Sequence, residues 1–288
     1  MSAQDRYIPG VPCWADVTQP DLDAAVAFYG GLFGWEFTDN TPPGDASRYF
    51  IARLPGGDVA GIAEQTEGPA AWNTYVWVQD ADATAAKVRA AGGTVLMGPL
   101  DAGESGRLAV FADPEGAAFR VWQAAQHRGS AVVNAHGSVN FNDLSAADLD
   151  GASSFYGAVF GWDAIDIGSG TAWALPGYGE FLETLNPGTL ENMAAMGAPE
   201  RFEDVVASVR VIPADEATRP RWDLTFGVDD ADAIAARTAE LGGTVVTPPV
   251  DAPWSRTCVI RDPAGATFTA AQFVLENKDI AAGAHSTA

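Results

Sequence analysis

The sequence predicts an α+β protein built from four βαβββ modules in tandem, two in each half of the chain. Three observations carry that expectation. The segment Asp21–Trp35 returns as Asp148–Trp162 with 10 of 15 positions identical. Further on, Asp113-Pro114-Glu115-Gly116 returns as Asp262-Pro263-Ala264-Gly265, and Gly92-Gly93-Thr94-Val95 as Gly242-Gly243-Thr244-Val245. Between these motifs, each half reads twice as a strand, a helix and several short strands. An offset of 127 to 150 residues is too long for a solenoid and marks two homologous domains. Their spans are 1–126 and 134–276, joined by a polar, small-residue linker from Ala124 to Asn134.

In the first domain, Val11 to Val17 has the alternation of a strand, and Pro20-Asp21 supplies a helix start. Leu22, Val26, Tyr29 and Phe33 then recur at helical spacing until Gly34 ends the helix. Trp35 to Phe37, Tyr49 to Leu54 and Val59 to Glu64 read as short strands, set apart by turns at Pro42-Pro43-Gly44 and Pro55-Gly56-Gly57. The second module opens on the aromatic and β-branched run Asn73 to Val78, just after Trp72. Asp82 is placed to cap a helix ending at Gly92-Gly93. Strands follow at Thr94 to Met97, Gly106 to Ala112 and Ala117 to Gln123, the last two joined by the Asp-Pro-x-Gly turn. The second domain repeats this plan from His136 to Phe273, with Trp222 in the place of Trp72. Its middle, Pro187 to Glu203, reads as a lid or mobile loop, and the tail from Asn277 to Ala288 as frayed.

Composition excludes several functions. With 47% apolar and 19% charged residues the chain is globular. Its formal charge of −22 leaves no basic surface for nucleic acid or an anionic membrane. No run of 18 apolar residues is present to span a bilayer, and Met1 to Gly10 lacks the pattern of a secretory signal. Cys13 and Cys258 sit in different repeats in apolar strand contexts. They read as buried free thiols, which fits a reducing cytoplasm.

The paired motifs, Asp-Leu-Asp…Phe-Tyr…Phe-Gly-Trp in the first helix of each domain and Asp-Pro-x-Gly before the last strand, resemble the vicinal oxygen chelate superfamily. That group includes glyoxalases, extradiol dioxygenases and bleomycin resistance proteins, and the chain resembles its two-domain actinobacterial, glyoxalase-like type. The resemblance implies two incomplete-barrel domains packed as a pseudo-dimer, or as part of a homodimer. It also implies a divalent metal held by His, Glu or Gln at set places, which binds adjacent substrate oxygens as a Lewis acid. At those places this sequence has Trp14 and Phe141 in the first strands, Asn73 and Asp223 in the strands opening the second modules, and Arg120 and Thr269 in the last strands. None is His, and only Asp223 is a good ligand. Of the three histidines, His127 falls in the linker, His285 in the tail and His136 at the start of the second domain.

Strand alternation groups the side chains that share these faces. In the first domain they are Trp14 with Asp16, Asn73 with Tyr75 and Trp77, and Arg120 with Trp122. This is either an aromatic-lined site for a flat, anionic small molecule or core filling with a buried Asp16–Arg120 pair. In the second domain they are Phe141, Asp143, Asp223, Thr225, Thr267 and Thr269, with Glu180 or Glu183 adding a carboxylate from a fourth-strand candidate. This set reads as a polar core, as a divalent metal site on Asp223, Glu183 and Asp143, or as the seat of a general base. Two functions follow. One is a small-molecule binder of bleomycin-resistance type with no metal or other cofactor. The other is a metal-dependent lyase, isomerase or oxygenase acting on a small oxygenated metabolite. The sequence leaves open whether the protein is an enzyme.

Overall fold

The computed structural model describes residues 6–41, 44, 47–65 and 67–280. The turn at Pro42-Pro43, the end of the tail from Ala281 and His285 lie outside the described residues. The first half runs β1 (Pro12–Gln19), α1 (Leu22–Phe33), β2 (Glu36–Asp39), β3 (Tyr49–Leu54), β4 (Gly57–Glu64), β5 (Ala71–Trp77), α2 (Ala81–Ala90), β6 (Thr94–Asp101), β7 (Gly106–Ala112) and β8 (Ala118–Ala124). The second half runs β9 (Ser138–Ala146), α3 (Leu149–Phe160), β10 (Asp163–Asp166), β11 (Thr171–Ala174), α4 (Tyr178–Leu185), α5 (Thr189–Met196) and β12 (Val205–Val211). It continues with β13 (Arg221–Gly227), α6 (Ala231–Glu240), β14 (Thr244–Ala252), β15 (Ser255–Arg261) and β16 (Thr267–Phe273).

These strands form two open, mixed, eight-stranded sheets in the orders β2-β3-β4-β1-β5-β8-β7-β6 and β10-β11-β12-β9-β13-β16-β15-β14. Within each module the first strand pairs in parallel with the last, as β1 does with β4 and β5 with β8. The remaining neighbours within a module are antiparallel. The α+β class and the four-module plan expected from the repeats are the observed architecture.

Each main helix starts on an aspartate whose carboxylate accepts a backbone N–H three residues on: Asp21 from Ala24, Asp80 from Ala83, Asp148 from Gly151 and Asp230 from Ala233. Such caps contribute about 1 kcal/mol each. The cap of α2 is therefore Asp80; Asp82, expected in that role, lies in the first turn and pairs with Arg107. Trp72 and Trp222 are the second residues of β5 and β13, not the residues before them.

Two larger corrections fall in the second half. Glu180 and Glu183 lie on helix α4, not on a strand. The segment Pro187–Glu203, read as a loop, contains helix α5. Its Leu, Glu, Met and Ala residues are strong helix formers, and that preference outweighs the adjoining proline and glycines. The Glu183 carboxylate accepts the Gly188 and Leu190 N–H groups and so caps α5, and these hydrogen bonds hold its pKa below the usual carboxylate value.

The chain divides into two compact units, each drawing on both halves. One unit comprises the chain up to Cys13, Thr74–Gly129 and Asn142–Trp222. In it the fully buried Tyr156 of α3 donates its hydroxyl to Asp113 (3.0 Å) and accepts the Trp222 indole N–H (2.9 Å). Asp113 also accepts the backbone N–H groups of Glu115 and Ala117, which closes the Asp-Pro-x-Gly turn. The other unit comprises Trp14–Asn73, Ser130–Phe141 and Asp223 onward. There Tyr29 of α1 donates to Asp262 (2.8 Å), which also takes the Gln19 amide (2.6 Å) and three backbone N–H groups of its own turn. Burial, reinforced by the adjacent carboxylate, pushes both tyrosines far above the ordinary phenol pKa, and burial also raises Asp113. The two repeated motifs thus meet each other, but always with one from each half of the chain.

Candidate functional site

In the unit containing Trp14–Asn73, the core takes Ala15 and Val17 of β1 and Trp72 of β5. Alternation turns Trp14, Asp16 and Asn73 to the opposite face. Asp16 is 1% exposed. Its carboxylate accepts the Asn73 amide at 2.9 Å and the Tyr49 hydroxyl at 3.5 Å. Tyr49 in turn accepts the Trp14 indole N–H at 2.9 Å. Room for this arrangement comes from Gly61, which lies opposite Asp16 in the β1–β4 register. A Cβ at Gly61 would overlap the Tyr49 hydroxyl and stand 2.6 Å from its Cζ. Trp14, Asp16 and Asn73 are thus brought together, whereas Tyr75, Trp77, Arg120 and Trp122, expected in the same set, belong to the other unit; Tyr49 and Gly61 were not foreseen. Both come from the neighbouring hairpin, and only strand register reveals them.

In the unit containing Thr74–Gly129, the parallel β5–β8 register sets Tyr75 beside Arg120 and Trp77 beside Trp122. Phe119, next to Arg120, packs on Phe155 and Tyr156 of α3, so Arg120 and Trp122 face away from that helix. Arg120 donates to the Tyr75 hydroxyl at 2.7 Å, its guanidinium 5.3 Å from the ring centroid. Trp122 donates to the His127 carbonyl at 2.9 Å. Trp77 is already engaged: Tyr7 stacks on it at 5.9 Å and the Arg128 guanidinium lies 5.6 Å from its centroid. Tyr75, Trp77 and Trp122 are all less than a tenth exposed.

The corresponding residues of the second half are more oxygen-rich. Asp143 accepts the hydroxyl of Ser208, its partner in the β9–β12 register. Thr225 and Thr269 are register partners on β13 and β16, and Asp223 lies two residues before Thr225 on the same face. Phe141 and Thr269 are half-buried, as are Asp143 and Asp223. His136 accepts the Asp229 N–H through Nδ1, so it serves the end of β13.

Two open sheets, each of two βαβββ modules, define a class of protein, and comparison with known proteins identifies it. Residues 14–121 match the family model described as Glyoxalase/Bleomycin resistance protein/Dioxygenase superfamily, and residues 139–271 that described as Glyoxalase-like domain. The chain is 36% identical over 277 residues to the putative glyoxylase CFP32 of Mycobacterium bovis, covering 93% of this chain and 97% of that one. It is 35% identical over 284 residues to the anthracycline biosynthesis protein DauV of Streptomyces sp. strain C5, covering 92% and 94%. Among solved structures, the Mn(II)-bound glyoxalase from Novosphingobium aromaticivorans shares the fold, with a TM-score of 0.59 at 18% identity over 92% of this chain and 82% of that one. The chain belongs to the glyoxalase/bleomycin resistance protein/dioxygenase superfamily.

At two of the places where this family holds a divalent metal, Trp14 and Arg120, the residues present do not fit one. Indole and guanidinium groups, as at Trp14 and Arg120, donate hydrogen bonds and offer no lone pair to a cation. Glu183, a candidate ligand from sequence, is committed to capping α5, and Asp143 to Ser208. Among the described residues, no group of three or more His, Cys, Asp or Glu side chains is arranged to hold a metal ion.

Proposed function

We propose that this chain binds a flat, oxygen-bearing aromatic molecule by stacking and hydrogen bonding instead of by chelation. The observation that carries this reading is the pairing of Arg120 with Tyr75 on a face shared with Trp77 and Trp122. A guanidinium held against aromatic rings suits an anionic or quinone oxygen on a planar ligand. Trp14, Asp16 and Asn73, with Tyr49, supply a second set of aromatic and polar groups in the other unit. The name of the relative DauV, an anthracycline biosynthesis protein, supports a planar fused-ring ligand class. The buried free thiols Cys13 and Cys258 support the reducing cytoplasm as its place of action.

Equilibrium titration of EDTA-treated protein with anthraquinone-2-sulfonate tests the proposal. Saturable binding, weakened at least about tenfold by Arg120→Ala and unchanged by added Mn²⁺, is the expected result. Binding that requires Mn²⁺, or is indifferent to Arg120, would refute it. One observation favours a second reading, a metal-dependent lyase, isomerase or oxygenase of this superfamily: Asp223 stands at a family ligand position. That reading predicts one divalent ion per chain by native mass spectrometry, lost in Asp223→Asn.

A further inference from the structure

The two halves differ most between the third and fourth strands of their first modules. In the first half β3 and β4 are joined by residues 55–56, whereas in the second β11 and β12 are separated by residues 175–204 with helices α4 and α5. This insertion adds little to the core: Gly179 is the single buried residue of α4, and α5 has none. Burial of apolar surface therefore does little to offset the cost of ordering it. Its Phe181 does, however, wall a cleft of about 500 Å³ in the unit that contains it, together with Tyr7, Trp77, Gln79, Gln123 and Arg128.

The chemistry of that lining is unusual for this protein. Asp and Glu outnumber Lys and Arg by 38 to 16 along the chain, yet the residues lining the cleft include an arginine and no carboxylate. Arg128 is exposed and lies over the Trp77 ring, with Tyr7 also stacked on that ring. Phe181 is half-buried and stacks on Tyr178. Gln79 is exposed and amide-bearing, and Gln123 accepts the Ala81 N–H through its carbonyl oxygen, which leaves its NH₂ as donor to a guest. The volume lies in the range of small-molecule pockets.

We infer that this cleft is a separate binding site for an aromatic carboxylate. The ring lies between Phe181 and the Tyr7–Trp77 wall, and the carboxylate is met by the Arg128 guanidinium, which also donates to the Ala125 carbonyl at 3.4 Å. The inserted helix α4 thereby supplies, through Phe181, one wall of a ligand site present in one half only. The cleft shares Trp77 with the Tyr75–Arg120 face, but its anion is met by Arg128 and not by Arg120.

The test is protection of an introduced thiol, using 2-naphthoate as probe. Gln79→Cys places a reactive group in the lining, against a background in which both native cysteines are buried. Saturable slowing of maleimide labelling by 2-naphthoate is expected. The protection should weaken at least about tenfold in Arg128→Ala and in Phe181→Ala, with circular dichroism unchanged, and persist in Arg120→Ala. Labelling that 2-naphthoate does not slow, or protection that survives both Arg128→Ala and Phe181→Ala, would overturn the assignment. Protection abolished by Arg120→Ala would overturn its independence from the proposed site.

Discussion

Replacing Gly61 with alanine isolates the hydrogen-bonded group around Asp16. Gly61 sits in a strand at a conformation open to any residue, so the substitution brings no backbone strain. In open space it would stabilise the protein by about 0.4 to 1 kcal/mol through the unfolded chain. Here the new Cβ would overlap the Tyr49 hydroxyl and crowd its Cζ at 2.6 Å, so the ring must swing away. That motion breaks the 2.9 Å bond from Trp14 and the longer 3.5 Å bond to Asp16. Two such bonds, one to a carboxylate, are worth about 2 to 3 kcal/mol together. Subtracting the chain-entropy gain leaves a net destabilisation of about 1 to 2 kcal/mol. Urea unfolding followed by far-ultraviolet circular dichroism reads this directly. In a Tyr49→Ala background only the Asp16 Cβ, 3.1 Å away, still crowds the new methyl, so most of the destabilisation by Gly61→Ala should disappear. Equal destabilisation in both backgrounds would show that the cost arises elsewhere and that Tyr49 does not occupy the niche at Gly61.

Tyr29→Phe removes one of several partners of Asp262 and is expected to cost about 1 to 2 kcal/mol, while Asp262→Ala strands the Tyr29 hydroxyl, the Gln19 amide and three turn N–H groups and should cost about 3 to 5. Comparable effects in chemical denaturation would contradict this ordering. Glu183→Ala frees the first N–H groups of α5, so amide exchange should quicken over residues 188–196 while the global unfolding midpoint stays put. The two-pronged hydrogen bonding from Arg210 holds the Glu216 carboxyl at about 2. Its contribution is complete above the ordinary value of 4.5 and is lost as pH falls toward about 2, so a stability gap between wild type and Glu216→Gln at neutral pH should close over that acid range.

The fold was legible because its punctuation is local. Asp21 and Asp148 before apolar helical runs, Gly34 and Gly161 after them, and the two Asp-Pro-x-Gly turns each specify one backbone event within a few residues. The failures were also local. Helix α5 was missed because Pro187, Gly188 and Gly197 bracket a segment barely two turns long. Glu183 was read as a ligand because a carboxylate serving as a cap five residues ahead leaves no mark at its own position. The site was half legible. Period-two alternation grouped Trp14 with Asp16 and Tyr75 with Trp77. Tyr49 and Gly61 carry no such signal, because their meeting with Asp16 is set by strand register, 33 and 45 residues away in the chain. Arg128 lay in a segment read only as linker, and Phe181 in one where a strand was expected.

The placement of the repeated motifs explains why the covalent repeat is not the packing unit. Tyr29 and Asp113 lie in one half, but Tyr29 bonds Asp262 and Tyr156 bonds Asp113. Each buried tyrosine, with its pKa pushed far up, needs an acceptor that only the other half supplies. Close approach reinforces the exchange: a Cβ at Gly243 would stand 2.8 Å from the Phe28 ring, and one at Gly93 2.7 Å from that of Phe155. The glycine pairs that end α2 and α6 therefore do more than stop a helix, since the second glycine of each admits an aromatic ring from the opposite half. With folding fixed by these shared motifs, the opposite strand faces are free to differ. Asp16 and Asp143 occupy equivalent places, yet one is served by a tyrosine reaching over a glycine and the other by Ser208 at the position equivalent to that glycine. The same backbone thus carries an aromatic face in one half and a hydroxyl-rich one in the other.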